Sequence, residues 1–185
     1  MIRAADLNSP HSRNNYQTLQ VGHHPCPAAD ESAYIKFTNA HCESFNKSWV
    51  INRCRLRAIK RDVTALNINI SVLHPADDIK LSITYLKKAN GFKPFVLNST
   101  LDACEYFHKK DNPIANLVFP FLVSFSNFNH TYLLNLQGDQ IVKNFYPKNE
   151  IVRLIHLMGD YLVMLSWILS KRKTFVTNVY FTFNG

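Results

Sequence analysis

The chain has 185 residues, 46% of them apolar and 12% aromatic, which is enough to bury one ordinary core and excludes a disordered or collagen-like protein. With only 5 glycines, glycine-rich repeats and linkers are excluded too. A formal charge of +8 suits nucleic acid, an anionic surface or plain solubility, and the scattered groups Lys87-Lys88, Lys109-Lys110 and Lys171-Arg172-Lys173 favour solubility.

Residues 1–33 are rich in Asn, Ser, His and Pro and predict a disordered polar segment ahead of a folded domain over 34–185. They contain no continuous apolar stretch of the kind a secretory leader carries, so on this reading alone the chain is not exported. His23-His24-Pro25-Cys26 has metal-binding residue types without further ligands beside it, and no metal or cofactor is expected. Nor is the chain expected to span a membrane: its longest apolar candidate, Tyr161 to Leu169, falls well short of a spanning helix.

Order begins near Tyr34. In YIKFTNAHC, Ile35 and Phe37 alternate with Tyr34, Lys36 and Thr38, as in a half-buried strand. The chain turns at Asn46-Lys47 and resumes as VINRCRLRAIKR. This places Cys42 and Cys54 on neighbouring antiparallel strands within reach of each other, and makes them the disulfide candidates. Four cysteines in all (Cys26, Cys42, Cys54, Cys104) allow other pairings. Arg53, Arg55 and Arg57 recur at period two, so they share one strand face. That face is either an ordinary solvated surface or an interaction surface for an acidic partner.

Leu66, Ile68, Ile70 and Val72 alternate with polar residues, and so do Ile79, Leu81, Ile83 and Tyr85 after the His74-Pro75 turn; the two predict an antiparallel pair. Asn90-Gly91 turns the chain again, and FKPFVLN is extended because Pro94 restricts Lys93. Helical spacings then predict a short helix near 101–109 and another near 113–124. Two further strands follow: Tyr161, Val163, Leu165 and Trp167 form one row, and Phe175, Val179, Phe181 and Phe183 another. About six to eight short strands argue a mainly β chain, an immunoglobulin-like antiparallel β-sandwich with a short helical insert.

No catalytic motif stands out: G-x-S-x-G, the phosphate-binding loop, G-x-G-x-x-G and H-E-x-x-H are all missing. Asp102, Asp139 and Asp160 sit at element boundaries, where Asp caps or turns. His130 is the best lone acid–base candidate but has no visible partner, and no catalytic residue is assigned. The sequons at Asn46, Asn69, Asn98 and Asn129 are glycosylation candidates and hint at a secretory protein. No nucleic-acid partner is expected, because the aromatics lie in alternating apolar strands and not among the basic residues.

FKPFVLNSTLDACEYF, SNFNHT, GDYLV followed by Trp, N-x-x-C and C-R-L-x-A-x-x-R occur in order along 34–185. Together they resemble a large insect family, found chiefly in flies, whose domain of unknown function is related to the CheB chemosensory proteins. That family is similar to the lipid-recognition (ML) superfamily of ganglioside-activator-like proteins. The resemblance implies a secreted ML-like sandwich holding a small lipid in a cavity between its sheets, with a role in chemosensory or pheromone signalling and a receptor protein as second partner. It also implies that the positions of Cys42, Cys54 and Cys104 are joined by a fourth cysteine, where this chain has Tyr132, leaving Cys104 without its usual partner unless Cys26 replaces it.

On that reading FKPFVLN crosses a sandwich edge and LDACEYF lies over the cavity mouth. Phe92 and Phe95 meet the ligand or the core, and Cys104 anchors the lid. The expected lining is Ile68, Ile70, Leu81, Ile83, Phe95, Phe107, Phe121, Val163, Trp167 and Phe181. The alternative is an extracellular interaction module with a filled core that uses the Arg53/Arg55/Arg57 face.

Overall fold

The computed structural model describes residues 34–76, 78–127, 136–147 and 157–184, leaving aside the side chains at positions 96, 97, 104, 107, 114, 117 and 118. The predicted disordered segment 1–33, together with Asn129, His130 and Tyr132, lies outside the described residues, as do the side chains of Cys104 and Phe107. In chain order the described elements are β1 (Tyr34–Ser44), β2 (Trp49–Lys60), β3 (Val63–Ala76), β4 (Ile79–Ala89) and β5 (Gly91–Asp102). There follow α1 (Ala103–Lys109), α2 (Pro113–Val123), β6 (Leu136–Phe145), β7 (Gly159–Leu169) and β8 (Arg172–Asn184).

The chain is mainly β, as its alternation predicts. The strands form two antiparallel sheets, one in the order β1-β8-β7-β4-β5 and one in the order β2-β3-β6. Side chains at every second position leave a strand on the same side. Ile35 and Phe37, the Leu66–Val72 row and the Phe175–Phe183 row therefore converge between the sheets into one buried cluster. Trp49 of the small sheet stacks on Phe175 and tilts against Trp167 of the large one, with centroids 5.8 and 5.9 Å away. Phe37 and Phe145 make a similar contact across the sheets at 5.8 Å.

Two expected strand pairs do not form. β3 lies in the small sheet between β2 and β6, while β4 lies in the large sheet between β5 and β7. A strand has only two edges, and those neighbours use both edges of each. The short connection after Pro75 is thus a corner between sheets and not a hairpin. It turns with Asp78 at a φ of 50°.

β1 and β2 are not paired either: among the described residues β1 is bonded only to β8 and β2 only to β3, each at the edge of its own sheet. The Cys42–Cys54 disulfide nevertheless forms, with a Cα separation of 6.0 Å. Cys42 lies opposite Thr177, and Cys54 opposite the buried Ile68. The bridge is therefore an inter-sheet tie, where a tie between sheet neighbours was expected.

The helical insert covers part of the large sheet. Asp102 caps α1 by accepting a 3.0 Å hydrogen bond from the Glu105 amide, and Asn112 does the same for Ala115 ahead of α2. The Tyr106 hydroxyl donates to Asn116 Oδ1 at 3.0 Å, and the Tyr106 ring meets Phe119 edge-on at 5.7 Å, which fastens the helices to each other. Tyr106 and Ala115 pack on Ile83 and Leu101, forming a second, smaller cluster.

On the outer face of the large sheet, Asp160 accepts from the Thr182 hydroxyl at 2.8 Å and from Lys88 Nζ at 3.3 Å. The Thr182 hydrogen bond, reinforced by Lys88, holds its carboxyl below the usual carboxylate range.

Two outcomes are expected. Replacing Cys42 and Cys54 together by Ala lowers unfolding free energy by about 3 kcal/mol, from the loop entropy released to the unfolded chain; urea denaturation of the variant and of the oxidised protein measures it. Because the folded pKa of Asp160 is depressed, its contribution is present at neutral pH and disappears as pH falls through that lowered value. Asp160→Asn therefore melts below the unmodified chain at pH 7, by less than about 1 kcal/mol for so exposed a pair. That gap closes in melts recorded at progressively lower pH, beyond the ordinary carboxylate range.

Candidate ligand-binding site

The inward rows of β4 and β7 face each other directly, with Leu81 opposite Trp167, Ile83 opposite Leu165, Tyr85 opposite Val163 and Lys87 opposite Tyr161. On β5, Leu101 lies opposite Leu81 and Lys93 opposite Lys87, with a register shift between them, and Phe95, of the same parity as both, turns inward against Tyr85. These strands lie away from the disulfide-tied edge.

Burial differs within the interior. Val72 and Phe175 are 1% and 0% exposed, and Ile68, Ile70 and Phe181 are also buried. By contrast Leu81, Tyr85, Phe95, Val163, Leu165 and Trp167 point inward yet remain only half-buried. Val163 packs against both the large cluster and the helical one.

The expected lining residues therefore divide. Ile68, Ile70 and Phe181 lie in the tightly packed part, and Ile83 is buried beneath the helices. Leu81, Phe95, Phe121, Val163 and Trp167 are half-buried, and Phe107 lies outside the described side chains. Phe92 does not face the interior: it lies opposite Lys88 on the outer face and meets Tyr180 edge-on at 5.6 Å. Phe92 lies an odd number of residues from Phe95, so alternation alone sends the two phenylalanines to opposite faces.

An aromatic group, of which the expected lining held Phe95 and Phe181 but not Tyr85 or Tyr161, occupies the end of this row. Tyr85 stacks on Tyr161 at 5.3 Å, Tyr161 on Phe181 at 5.4 Å, and Phe95 lies 6.0 Å from both tyrosines. Lys87 Nζ sits 5.5 Å from the ring centroids of both Phe95 and Tyr161. The Tyr161 hydroxyl donates to the Leu157 carbonyl, whereas the buried Tyr85 hydroxyl has no hydrogen-bond partner among the described residues. Burial, with Tyr161 beside it, raises the Tyr85 phenol far above its ordinary value, so it remains a protonated donor at any physiological pH. The available signal was parity: Tyr85 continues the row of Ile79, Leu81 and Ile83, and Lys87 follows two residues later.

The arginine face lies elsewhere. Arg53, Arg55 and Arg57 are opposite Asn69, Asn67 and Ala65, on the outer side of the small sheet, and all three are exposed. Among the described residues none of them makes an ion pair.

Of the sequons, Asn46 is exposed in the β1–β2 corner, its side chain accepting from the Ser48 amide at 2.9 Å. Asn98 is exposed too, and lies opposite Thr84 within β5. Asn69 is half-buried in the central strand of the small sheet, and Asn129 lies outside the described residues.

Among the described residues no group of three His, Cys, Asp or Glu is placed to hold a metal ion, and no helix is long and apolar enough to cross a membrane. No curated protein is significantly similar to the chain. Residues 81–163, from the inward row of β4 through the helical insert to Val163 of β7, match the family described as Protein of unknown function (DUF1091), so the half of the sandwich that carries the half-buried row coincides with a domain of unknown function.

Proposed function

We propose that this protein is a non-catalytic carrier that holds a small lipid or other apolar molecule between its sheets, on the β4-β5-β7 side. The observation that carries this reading is a row of inward side chains on β4, β5 and β7, Leu81, Tyr85, Phe95, Val163, Leu165 and Trp167, that remain half-buried although Ile79, Ile83, Leu101 and Tyr161 of the same strands are buried. An acyl chain laid along them gains about 0.8 kcal/mol per buried methylene, so no reactive group is needed for tight binding. The inter-sheet disulfide suits an oxidising, extracellular setting, in keeping with secretion. The resemblance to CheB-like and ML proteins points the same way and suggests a chemosensory role with a receptor as partner.

A second reading rests on the exposed arginine row, which fits an acidic protein partner. The two separate experimentally. Reversing Arg53, Arg55 and Arg57 to Glu leaves ligand content unchanged under the carrier reading and abolishes partner capture under the other.

Native mass spectra of the full chain from an insect secretory host, taken before and after solvent extraction, should show a bound mass that extraction removes. Val163→Phe provides the structural check. If the interior is open there, the added ring is accommodated with little loss of stability, and the bound mass disappears. In a filled core the same ring costs about 1–3 kcal/mol by overpacking, and such a loss together with an apo mass throughout would refute the carrier reading.

A further inference from the structure

We infer that Tyr85, Lys87 and Lys93 form a head-group site for an amphiphile with an anionic oxygen head, its aliphatic chain running along Leu81, Val163 and Trp167. This rests on the carrier reading and specifies the class of ligand. Three observations converge on it.

First, the Tyr85 hydroxyl is buried against Phe95, Tyr161 and Phe181, with no acceptor among the described residues. A dry, unmatched donor is costly to keep, and its stacked neighbour Tyr161 avoids that cost by donating to Leu157. A ligand oxygen brought into the aromatic group supplies the missing acceptor.

Second, Lys87 leaves β4 on the same face two residues further on, and its ammonium lies over the Phe95 and Tyr161 rings. Gly159, at a φ of 142°, makes room for it: a Cβ there would stand 3.3 Å from Lys87 Cε. The lysine stem therefore depends on a missing side chain across the strand pair.

Third, Lys93 is directly opposite Lys87 on β5. Like charges placed opposite each other on one sheet face repel. Among the described residues neither lysine forms an ion pair with an acidic group. An anionic head between them relieves that repulsion, and the phenol adds a hydrogen bond. An alkane offers neither interaction.

Carboxylate and phosphate heads share this chemistry, and the test separates them. The full chain, stripped by solvent extraction, is titrated calorimetrically with hexadecanoate, hexadecyl phosphate, methyl hexadecanoate and hexadecane. Both anions should bind at least about tenfold tighter than hexadecane, and the tighter of the two identifies the head. Tyr85→Phe, which removes one oxygen, should weaken every oxygen-headed ligand about five- to tenfold, spare hexadecane and leave the melting temperature of the apo protein unchanged or raised. The exposed-end variant K87Q/K93Q should weaken the anions alone. If both variants bind all four probes as the parent does, the head-group site is wrong while the carrier reading stands. If the parent binds none of them, both fall.

Discussion

The organising constraint is the tie between Cys42 and Cys54. It joins the edge strand of one sheet to the edge strand of the other, and further along β2 Trp49 packs against Phe175 and Trp167 across the same interior. Two sheets held at one edge and carrying different numbers of strands cannot cover each other completely. The small sheet closes over one part of the large one, and the inner faces of β4 and β5 need another cover. α1 and α2 provide it, with their own packing on Ile83 and Leu101 and their own internal lock at Tyr106. The interior consequently combines a closed centre, to which β3 and β8 contribute most, with a row of half-buried side chains on β4, β5 and β7 beside the helices.

That contrast gives the polar groups beside the half-buried row their meaning. A hydroxyl without a partner, two facing lysines and a stack of rings are poor material for a sealed core, where every buried donor needs an acceptor. They are good material for the mouth of a binding site. The outer face of the same sheet, by contrast, satisfies its charges locally through Asp160, Thr182 and Lys88.

Much of the fold was legible because period-two alternation reports burial directly. The rows of β3, β4, β7 and β8 could be read residue by residue, and both short helices were placed close to their observed bounds. The sheet assignment of those strands was not legible. Alternation says which face of a strand is buried but not which neighbour it bonds, so two short connections that resembled hairpins proved to be corners. β6 escaped notice because LQGDQIVKNF is mostly polar, with Leu136, Gln140 and Val142 as its buried residues. For the site, parity correctly turned Leu81, Val163 and Trp167 inward, yet nothing in it could reveal that Tyr85 lacks a partner. That is a property of the assembled interior, whereas the outward turn of Phe92 follows from its odd spacing from Phe95 and was there to be read.

The central claim, an interior open to ligand on one side only, is tested most directly by contacts between bound ligand and protein. Carbon-labelled hexadecanoate bound to the full chain should give nuclear Overhauser effects to Leu81, Val163 and Trp167 and none to Val72 or Ile79, which lie in the closed part. Bound label that contacts only residues on the outer faces, such as Phe92 or Leu73, would contradict the account.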